Sequence, residues 1–402
     1  MRTFIISGIA LLAIVLAFFL GFQLNQEEEK KELRQIEDAS PQQIQTFFRH
    51  YRAHIQNQLN NAACPGAAII VVKNDSIWFE ESFGLKKLGT TDSVNNETVF
   101  RIGSLSKAFA AVLTGIMVEE GKLAWESKVK DILPYFRLRS QEDTEEVEVQ
   151  HLLSHSIGFP RHIYTDQIEA LKSPRRIADN FKYVYMQGLP GEYYAYQNAA
   201  FALIEEVLDS VSDRSYTELL AEKILKPAEM LDASTDLISM KQQGNKAVPH
   251  RYDRRKEGWV QDSITEKYYN AVSAGGVNAS ISDMAAWIQV LFGNRPKVVS
   301  PEVLAEVFHP YINTSDKDLF FNKWQGVSSS HYAMGFRFLS YKDKPLLYHG
   351  GFVNSYRSEL ALDPERKLAI CALFNSPCSY SNTLVPDFFE WLEMYEEILQ
   401  DL

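Results

Sequence analysis

The sequence predicts an α+β fold: a single antiparallel sheet, flanked by helices in an α/β sandwich and built from both chain ends, with a mostly helical lobe inserted between them. Three observations carry this. Apolar and alternating segments flank a short turn near residues 67–84, strand-like segments return only near the C-terminal end, and helical periodicity dominates the stretch between. By position, a sheet lobe covers residues 41–121 and 256–400, and a helical lobe covers 122–255.

In chain order, Ser40 is placed to cap a helix whose first turn accommodates Pro41, and Ile44, Phe47, Phe48, Tyr51, Ile55 and Leu59 share one face. Pro65-Gly66 ends it. "AAIIVV" and "SIWFEESFG" around "KNDS" then read as a β-hairpin. "VFRIGSLSKAFAAVL", residues 99–113, joins a small-residue turn to an apolar helix that runs to Glu120, with Gly121 as its C-cap. In the helical lobe, "VQHLLSHSIGF", "ALKSPRRIADNFKYVYMQG" and "NAAFALIEEVLDSVSD" carry helical spacing. "SAGGVNASISDMAAWIQVLFG" reads as a Gly-Gly turn and a helix capped near Ser282. "HYAMGFRFLS", "KPLLYHGG", "YRSELALD" and "KLAICALFN" read as strands, with "DPER" turning between the last two. The helix "PDFFEWLEMYEEILQDL" follows.

Composition narrows the class. The 402 residues are 46% hydrophobic and 23% charged, ordinary for a chain that buries a core. A net charge of −11 without a basic stripe sets nucleic-acid binding aside. Residues 3–26 carry no charge, and their apolar core from Phe4 to Phe22 approaches the about 20 residues that cross a bilayer. It offers no convincing small-x-small cleavage site. Residues 1–26 are therefore expected to be a membrane anchor, with a cleaved signal as the alternative. Residues 27–40 form a charged linker, and the rest is an exported, periplasmic or extracytoplasmic catalytic domain, secreted if the segment is cleaved. Arg2 on one side and Lys30, Lys31 and Arg34 on the other leave the orientation open. Cys64, Cys371 and Cys378 form no CxxC pair. Cys371 reads as a buried strand thiol, and a Cys371–Cys378 disulfide would need the fold to bring the two together.

Three constellations carry chemistry. Ser104 and Lys107 stand three apart where the 99–113 turn becomes helix. A hydroxyl at a helix N-terminus beside a partly desolvated lysine suits a nucleophile and its base; an ordinary N-cap serine fits the same stretch. Ser127 and Lys130 repeat the spacing among charged residues and read as a solvated face. Tyr-x-Asn occurs at 196–198, 268–270 and 311–313. Only Tyr196 and Asn198 follow a tight approach and precede a long amphipathic helix, and a tyrosine near a lysine can pass a proton to a leaving group; Tyr268 and Tyr311 read as packed. Last, "HGG" at His349, Gly350 and Gly351 adjoins a strand, where missing side chains admit a ligand and backbone N–H groups can build an oxyanion hole. His151 and His155 lack the glutamate of a zinc protease and read as structural, and no G-x-S-x-G elbow is present.

"SLSK", "YQN" 92 residues beyond Ser104, and "HGG" near the C-terminal end stand in one order. With "CPGAAIIVVKND", "TVFRIGSLSKAFAA", "GKLAWESKVKDILPYF", "VQHLLSHSIGFP", "SAGGVNASISDMAAWI" and "LAICALFN", the set resembles the serine β-lactamase and penicillin-binding-protein superfamily, in its class C β-lactamase-like branch, over residues 45–400. The resemblance implies a β-lactamase/transpeptidase-like fold and these roles. Ser104 forms an acyl-enzyme. Lys107 and Tyr196 handle its proton, and Tyr196 protonates the leaving amine. Asn198 holds the substrate amide. Backbone N–H groups of Ser104 and Phe352 form the oxyanion hole, and His349 orients Tyr196 or a substrate carboxylate. It implies no metal and no organic cofactor. The partner is a small-molecule or peptide substrate, a β-lactam or D-Ala-D-Ala-type amide, with a carboxylesterase or D-amino-acid amidase and a non-catalytic penicillin sensor as alternatives. His349 stands where the family has the Lys of Lys-Thr-Gly, which removes a permanent charge that would grip a substrate carboxylate.

Overall fold

The computed structural model describes residues 35–314, 320–321 and 324–400. The expected anchor, residues 1–26, lies outside the described residues, as do linker residues 27–34 and positions 315–319 and 322–323. Among the described residues no helix is long and apolar enough to cross a membrane.

The described residues fall into two compact units, His50–Phe388 and a smaller one of residues 35–49 with 389–400. In the smaller unit Ser40 caps as its sequence predicts. Its Oγ accepts from the Gln43 N–H, and Gln43 Oε1 accepts from the Ser40 N–H. Tyr395 donates to the Gln43 carbonyl, and the Phe47 and Tyr395 ring centroids lie 5.0 Å apart.

In the larger unit, eight strands form one antiparallel sheet: β1 Gly66–Lys73, β2 Ser76–Gly84, β3 Ile312–Asn313, β4 Val327–Tyr332, β5 Arg337–Tyr341, β6 Lys344–Val353, β7 Tyr356–Asp363 and β8 Leu368–Phe374. Their spatial order is β2-β1-β8-β7-β6-β5-β4-β3. The chain leaves the sheet at Gly84 and returns at Ile312, so early and late segments complete it together, and β1 pairs with β8 from Ala67↔Phe374 to Lys73↔Leu368. Both strands are buried almost throughout. That is why they read as continuous apolar runs rather than alternating ones.

Helix α1, Pro41–Asn61, precedes the sheet and α5, Leu384–Gln400, follows it. Between β2 and β3 lie α2, Ser106–Glu119, α3, Asn198–Ser212, and α4, Ile281–Leu291. Helix α2 is buried from Ser106 to Met117 on all faces, as a central helix is, and is apolar except at Ser106, Lys107 and Thr114. Phe109 on α2 stacks on Trp287 of α4 at 4.0 Å between centroids. Gly121 follows α2 with φ +69°, as its capping role predicts.

Three readings need correction. Helix α4 is capped by Ser280, not Ser282, because Ser280 Oγ accepts from the Asp283 N–H while the Asp283 carboxylate accepts from the Ser280 N–H. The periodic stretch 170–188 is not one helix: it follows Thr165–Glu169 and contains only Pro174–Ala178 and a 3-10 turn at Phe181–Tyr183. Pro174 cannot continue a preceding helix, and Ser173 caps a new one. "HYAMGFRFLS" is two strands, β4 and β5, divided at Gly335. That glycine has φ +72°, and a Cβ there would meet the Lys107 carbonyl oxygen at 2.5 Å, so both its backbone and its lack of a side chain are required.

The disulfide is Cys64–Cys378, with Cα atoms 5.6 Å apart, and Cys371 is a buried free thiol. The register explains the difference from a Cys371–Cys378 pairing. Cys371 faces Ile70 within the ladder, whereas Cys64 and Cys378 lie just beyond the Ala67↔Phe374 end of it. Cys64→Ser is expected to lower unfolding stability by about 2–5 kcal/mol, measured by urea denaturation under non-reducing conditions.

Candidate active site

Residues Gly103–Leu105 form a 3-10 turn that feeds α2. The turn frees the Ser104 side chain from capping: Ser106 Oγ, not Ser104 Oγ, serves the local backbone, donating to the Gly103 carbonyl and accepting from the Val277 N–H. Ser104 Oγ instead accepts a 2.9 Å hydrogen bond from the Tyr196 hydroxyl and lies 3.4 Å from Lys107 Nζ. The N-cap reading of Ser104 is thereby corrected. Lys107 is fully buried, and its Nζ donates to Asn198 Oδ1 at 2.8 Å and to the Ala274 carbonyl at 2.7 Å. Burial pushes its pKa well below the ordinary lysine value, and the Arg337 guanidinium pushes it further.

Asn198 is the first residue of α3 rather than part of the loop before it. Its Nδ2 donates to the Tyr268 hydroxyl at 3.1 Å, so the second Tyr-x-Asn contributes a site residue that reads from sequence as packing. Burial, with the Tyr196 phenol beside it, raises the Tyr268 pKa. Tyr311 does pack, against a cluster of Tyr194, Tyr196, Ile312 and Tyr332. The Ala274 carbonyl is held in place from α3 as well. Glu205 accepts from Ser273 N at 2.7 Å and Ser273 Oγ at 2.6 Å, and burial raises its pKa to about 7.

His349 lies on β6, fully buried. Its Nδ1 lies 2.8 Å from the Gly350 carbonyl, which can only accept, so the ring proton is assigned there. Nε2 then accepts from the Tyr332 hydroxyl at 3.0 Å, with Arg337 Nη1 at 3.5 Å. Burial first, then Arg337 and Lys107, hold the imidazole well below its usual pKa, so it is neutral. Arg337 itself is the residue that the motifs do not announce. It pairs across the ladder with Tyr348, next to His349, and its guanidinium carbon lies 5.3 Å from the Tyr196 ring centroid. A permanent positive charge thus stands beside His349, carried by the neighbouring strand. The one signal for it is the β5–β6 hairpin, whose register sets "RFL" opposite "LLY".

The edge of β6 runs against the Ser104 turn. A Cβ on Gly103, which has φ +53°, would sit 2.8 Å from Phe352 N. Strand β6 pairs with β7 through a two-residue turn, with Asn354 and Ser355 both at positive φ. By the alternation of an antiparallel ladder, the main-chain groups of Gly350 and Phe352 point away from β7. Strand β5 pairs only as far as Tyr348, which leaves this stretch of edge open beside Ser104. The Phe352 side chain is 56% exposed. Ser104, Lys107, Tyr196, Asn198, His349 and the 350–352 edge thus converge.

The decoys behave as ordinary structure. Ser127 Oγ accepts from the Ala124 N–H, and Lys130 lies 3.6 Å from Glu145. His151 Nδ1 accepts from the Glu148 N–H in a helix cap. His155 is different: its ring packs 4.2 Å from the Tyr196 ring centroid. Among the described residues no group of three or more His, Cys, Asp and Glu side chains could hold a metal ion.

An antiparallel sheet with a helical insertion has a serine, a lysine and a tyrosine joined at its edge. The chain belongs to the Beta-lactamase family, whose pattern matches residues 51–383. It is 25% identical to the Unguisins hydrolase ungD' of Aspergillus campestris over 86% of this chain and 67% of that protein. It is 23% identical to Protein flp of Staphylococcus aureus (strain MRSA252) over 87% of this chain and 66% of the relative. The matches thus span about two thirds of these relatives' lengths. In fold it is similar to the octameric penicillin-binding protein homologue from Pyrococcus abyssi, with a TM-score of 0.72, 23% identity and coverage of 83% and 76% of the two chains. SurE follows with a TM-score of 0.69, 19% identity and coverage of 88% and 76%. The family is typically hydrolytic and acts on small-molecule or peptide substrates.

The charge state of the site can be checked without a substrate. Nitrogen-15 NMR is expected to find His349 neutral and Nδ1-protonated in acid where an ordinary histidine is charged, and Arg337→Gln is expected to raise its pKa by removing a nearby positive charge.

Proposed function

We propose that the chain is a serine hydrolase acting through an acyl-serine at Ser104 on β-lactam or D-Ala-D-Ala-type amides. The observation that carries this is the placement of Ser104 Oγ between the Tyr196 hydroxyl and Lys107 Nζ. The neutral lysine amine has two N–H donors, and the carbonyls of Asn198 and Ala274 account for both. Its lone pair is left for the Ser104 proton. Ser104 Oγ attacks the substrate carbonyl as that proton passes to Lys107. The oxyanion is met by the N–H groups of Ser104 and Phe352. Collapse breaks the scissile bond, the leaving amine takes the Tyr196 proton, and Lys107 restores it. Asn198 also orients the substrate amide. Water then releases the acyl group.

Arg337 supports a substrate that carries a carboxylate, since it is the cation beside His349. An esterase or D-amino-acid amidase is the second reading. The exposed Phe352 side chain beside the nucleophile turn favours it, because an apolar acyl group has a surface there without any need for a carboxylate. We also propose an extracytoplasmic location, with residues 1–26 as anchor or as a cleaved signal. The apolar run there and the Cys64–Cys378 disulfide support this, since disulfides persist in oxidising compartments.

The purified full chain should be given a chromogenic cephalosporin, a D-Ala-D-Ala peptide and a short-chain ester, with Ser104→Ala as control. The expected result is turnover of the cephalosporin or the peptide, and a covalent mass shift by an acylating penicillin that Ser104→Ala abolishes. Turnover of the ester alone would leave the second reading. Acylation without any turnover would point to a penicillin sensor, and an unlabelled, inactive wild type would overturn all three.

The pH profile tests the base. Only the neutral amine accepts a proton, so kcat/KM should rise as pH climbs through the lowered Lys107 pKa. Arg337→Gln takes away a charge that depresses that pKa, so the rising limb should move to higher pH. The same variant should raise KM for carboxylate-bearing substrates by about 10–100-fold, the loss of one charged hydrogen bond.

A further inference from the structure

Resting on the acyl-serine reading above, we propose that His155 is a positioning residue that fixes the tyrosine proton donor. It accepts from the backbone N–H groups of the residues on both sides of Tyr196 and backs the phenol ring with its imidazole.

The grip has two hydrogen bonds. The His155 carbonyl accepts from the Ala195 N–H at 3.0 Å, and His155 Nδ1 accepts from the Gln197 N–H at 3.1 Å. Tyr196 is the residue between them. The pairing continues as a parallel bridge between Ile157 and Tyr193, so the 155–157 segment splints the 193–197 approach to α3. The Tyr196 carbonyl is held separately, by the His162 N–H at 3.0 Å. Side-chain packing repeats the pattern. The His155 ring lies 4.2 Å from the Tyr196 ring, 4.7 Å from Tyr332 and 5.3 Å from Phe201. Tyr332 in turn donates to His349, so one imidazole braces two aromatic members of the site.

Histidine suits this backbone but carries a polar burden. The residue has φ +58°, in the left-handed region where Asn, Asp and His are the side chains most often found. With Nδ1 accepting, the ring proton sits on Nε2, which has no partner among the described residues. An apolar side chain would avoid that burden, but none could accept the Gln197 N–H. Lys107, His349, Arg337 and His162 surround the ring and, with burial as the largest cause, hold its pKa well below the usual value. The imidazole therefore stays neutral, with Nδ1 available as an acceptor.

The test compares His155→Leu with His155→Asn in the purified full chain. Asparagine tolerates φ +58° and presents an oxygen near the Nδ1 position; leucine does neither. The readouts are the rate of Ser104 acylation by a fluorescent penicillin, kcat and KM for a turned-over substrate, and amide hydrogen exchange over residues 193–199 by mass spectrometry. His155→Leu is expected to lose acylation rate and kcat on the order of 100-fold, as a small misplacement of a proton donor does, with KM changed less than about 3-fold. Exchange at the Gln197 amide should rise in the same variant. His155→Asn should recover protection and all but about 10-fold of the rate. Equal losses in both variants, or a His155→Leu chain acylated at the wild-type rate, overturn the positioning role and leave Ser104 as nucleophile. A wild-type chain that is never labelled and turns nothing over defeats the acyl-serine reading itself, and the positioning role with it.

Discussion

The buried amine of Lys107 is the constraint on which the site depends. Among the described residues no carboxylate pairs with it; the Asn198 and Ala274 carbonyls and the Ser104 hydroxyl meet it instead. Burying an ammonium without a counter-ion is severely unfavourable, and the group responds by shifting toward its neutral form. Arg337 adds to that shift with a repelling charge. Asn198, which starts α3, and Ala274, in the short helix Val272–Gly275 that Glu205 of α3 holds, fix the amine in place. Gly335 presses the β4–β5 turn onto the Lys107 carbonyl, so the sheet bears on the helix at the residue whose side chain needs the dry setting.

A second constraint is closeness of backbones. The β6 edge can lie beside Ser104 because Gly103 and Gly351 present no Cβ to each other's strands, and a side chain at either would collide with main chain. The nucleophile turn and the N–H of Phe352 are thus brought together by omission. His349 completes the edge as a neutral ring, and the charge associated with that corner moves one strand over, to Arg337.

Much of this was legible in the sequence. Ordered motifs located Ser104, Lys107, Tyr196, Asn198 and His349, and the strand patterns located β1, β2 and β6–β8, because local spacing and turn chemistry report local structure. What stayed hidden depends on register between distant segments. Arg337 joins the site through its pairing with Tyr348, Tyr268 through a left-handed backbone that aims its hydroxyl at Asn198, and Cys64 meets Cys378 only once β1 and β8 are aligned. Helix boundaries failed where a capping competition was local but close. Ser280 outcompeted Ser282 because Asp283, not a later residue, closes the box. In the same way, Ser106 took the backbone duty that would have occupied Ser104.

The insertion of β8 between β1 and β7 has a kinetic consequence. The β1–β2 hairpin can form early from local contacts, yet one long edge of β1 stays unpaired until a strand roughly three hundred residues downstream arrives, as the 314-residue separation of Cys64 and Cys378 indicates. Until then a nearly all-apolar strand edge is open to other chains. Closing the central ladder is therefore a late, non-local event in folding, and the disulfide, sitting at the end of that ladder, locks a pairing between segments some three hundred residues apart.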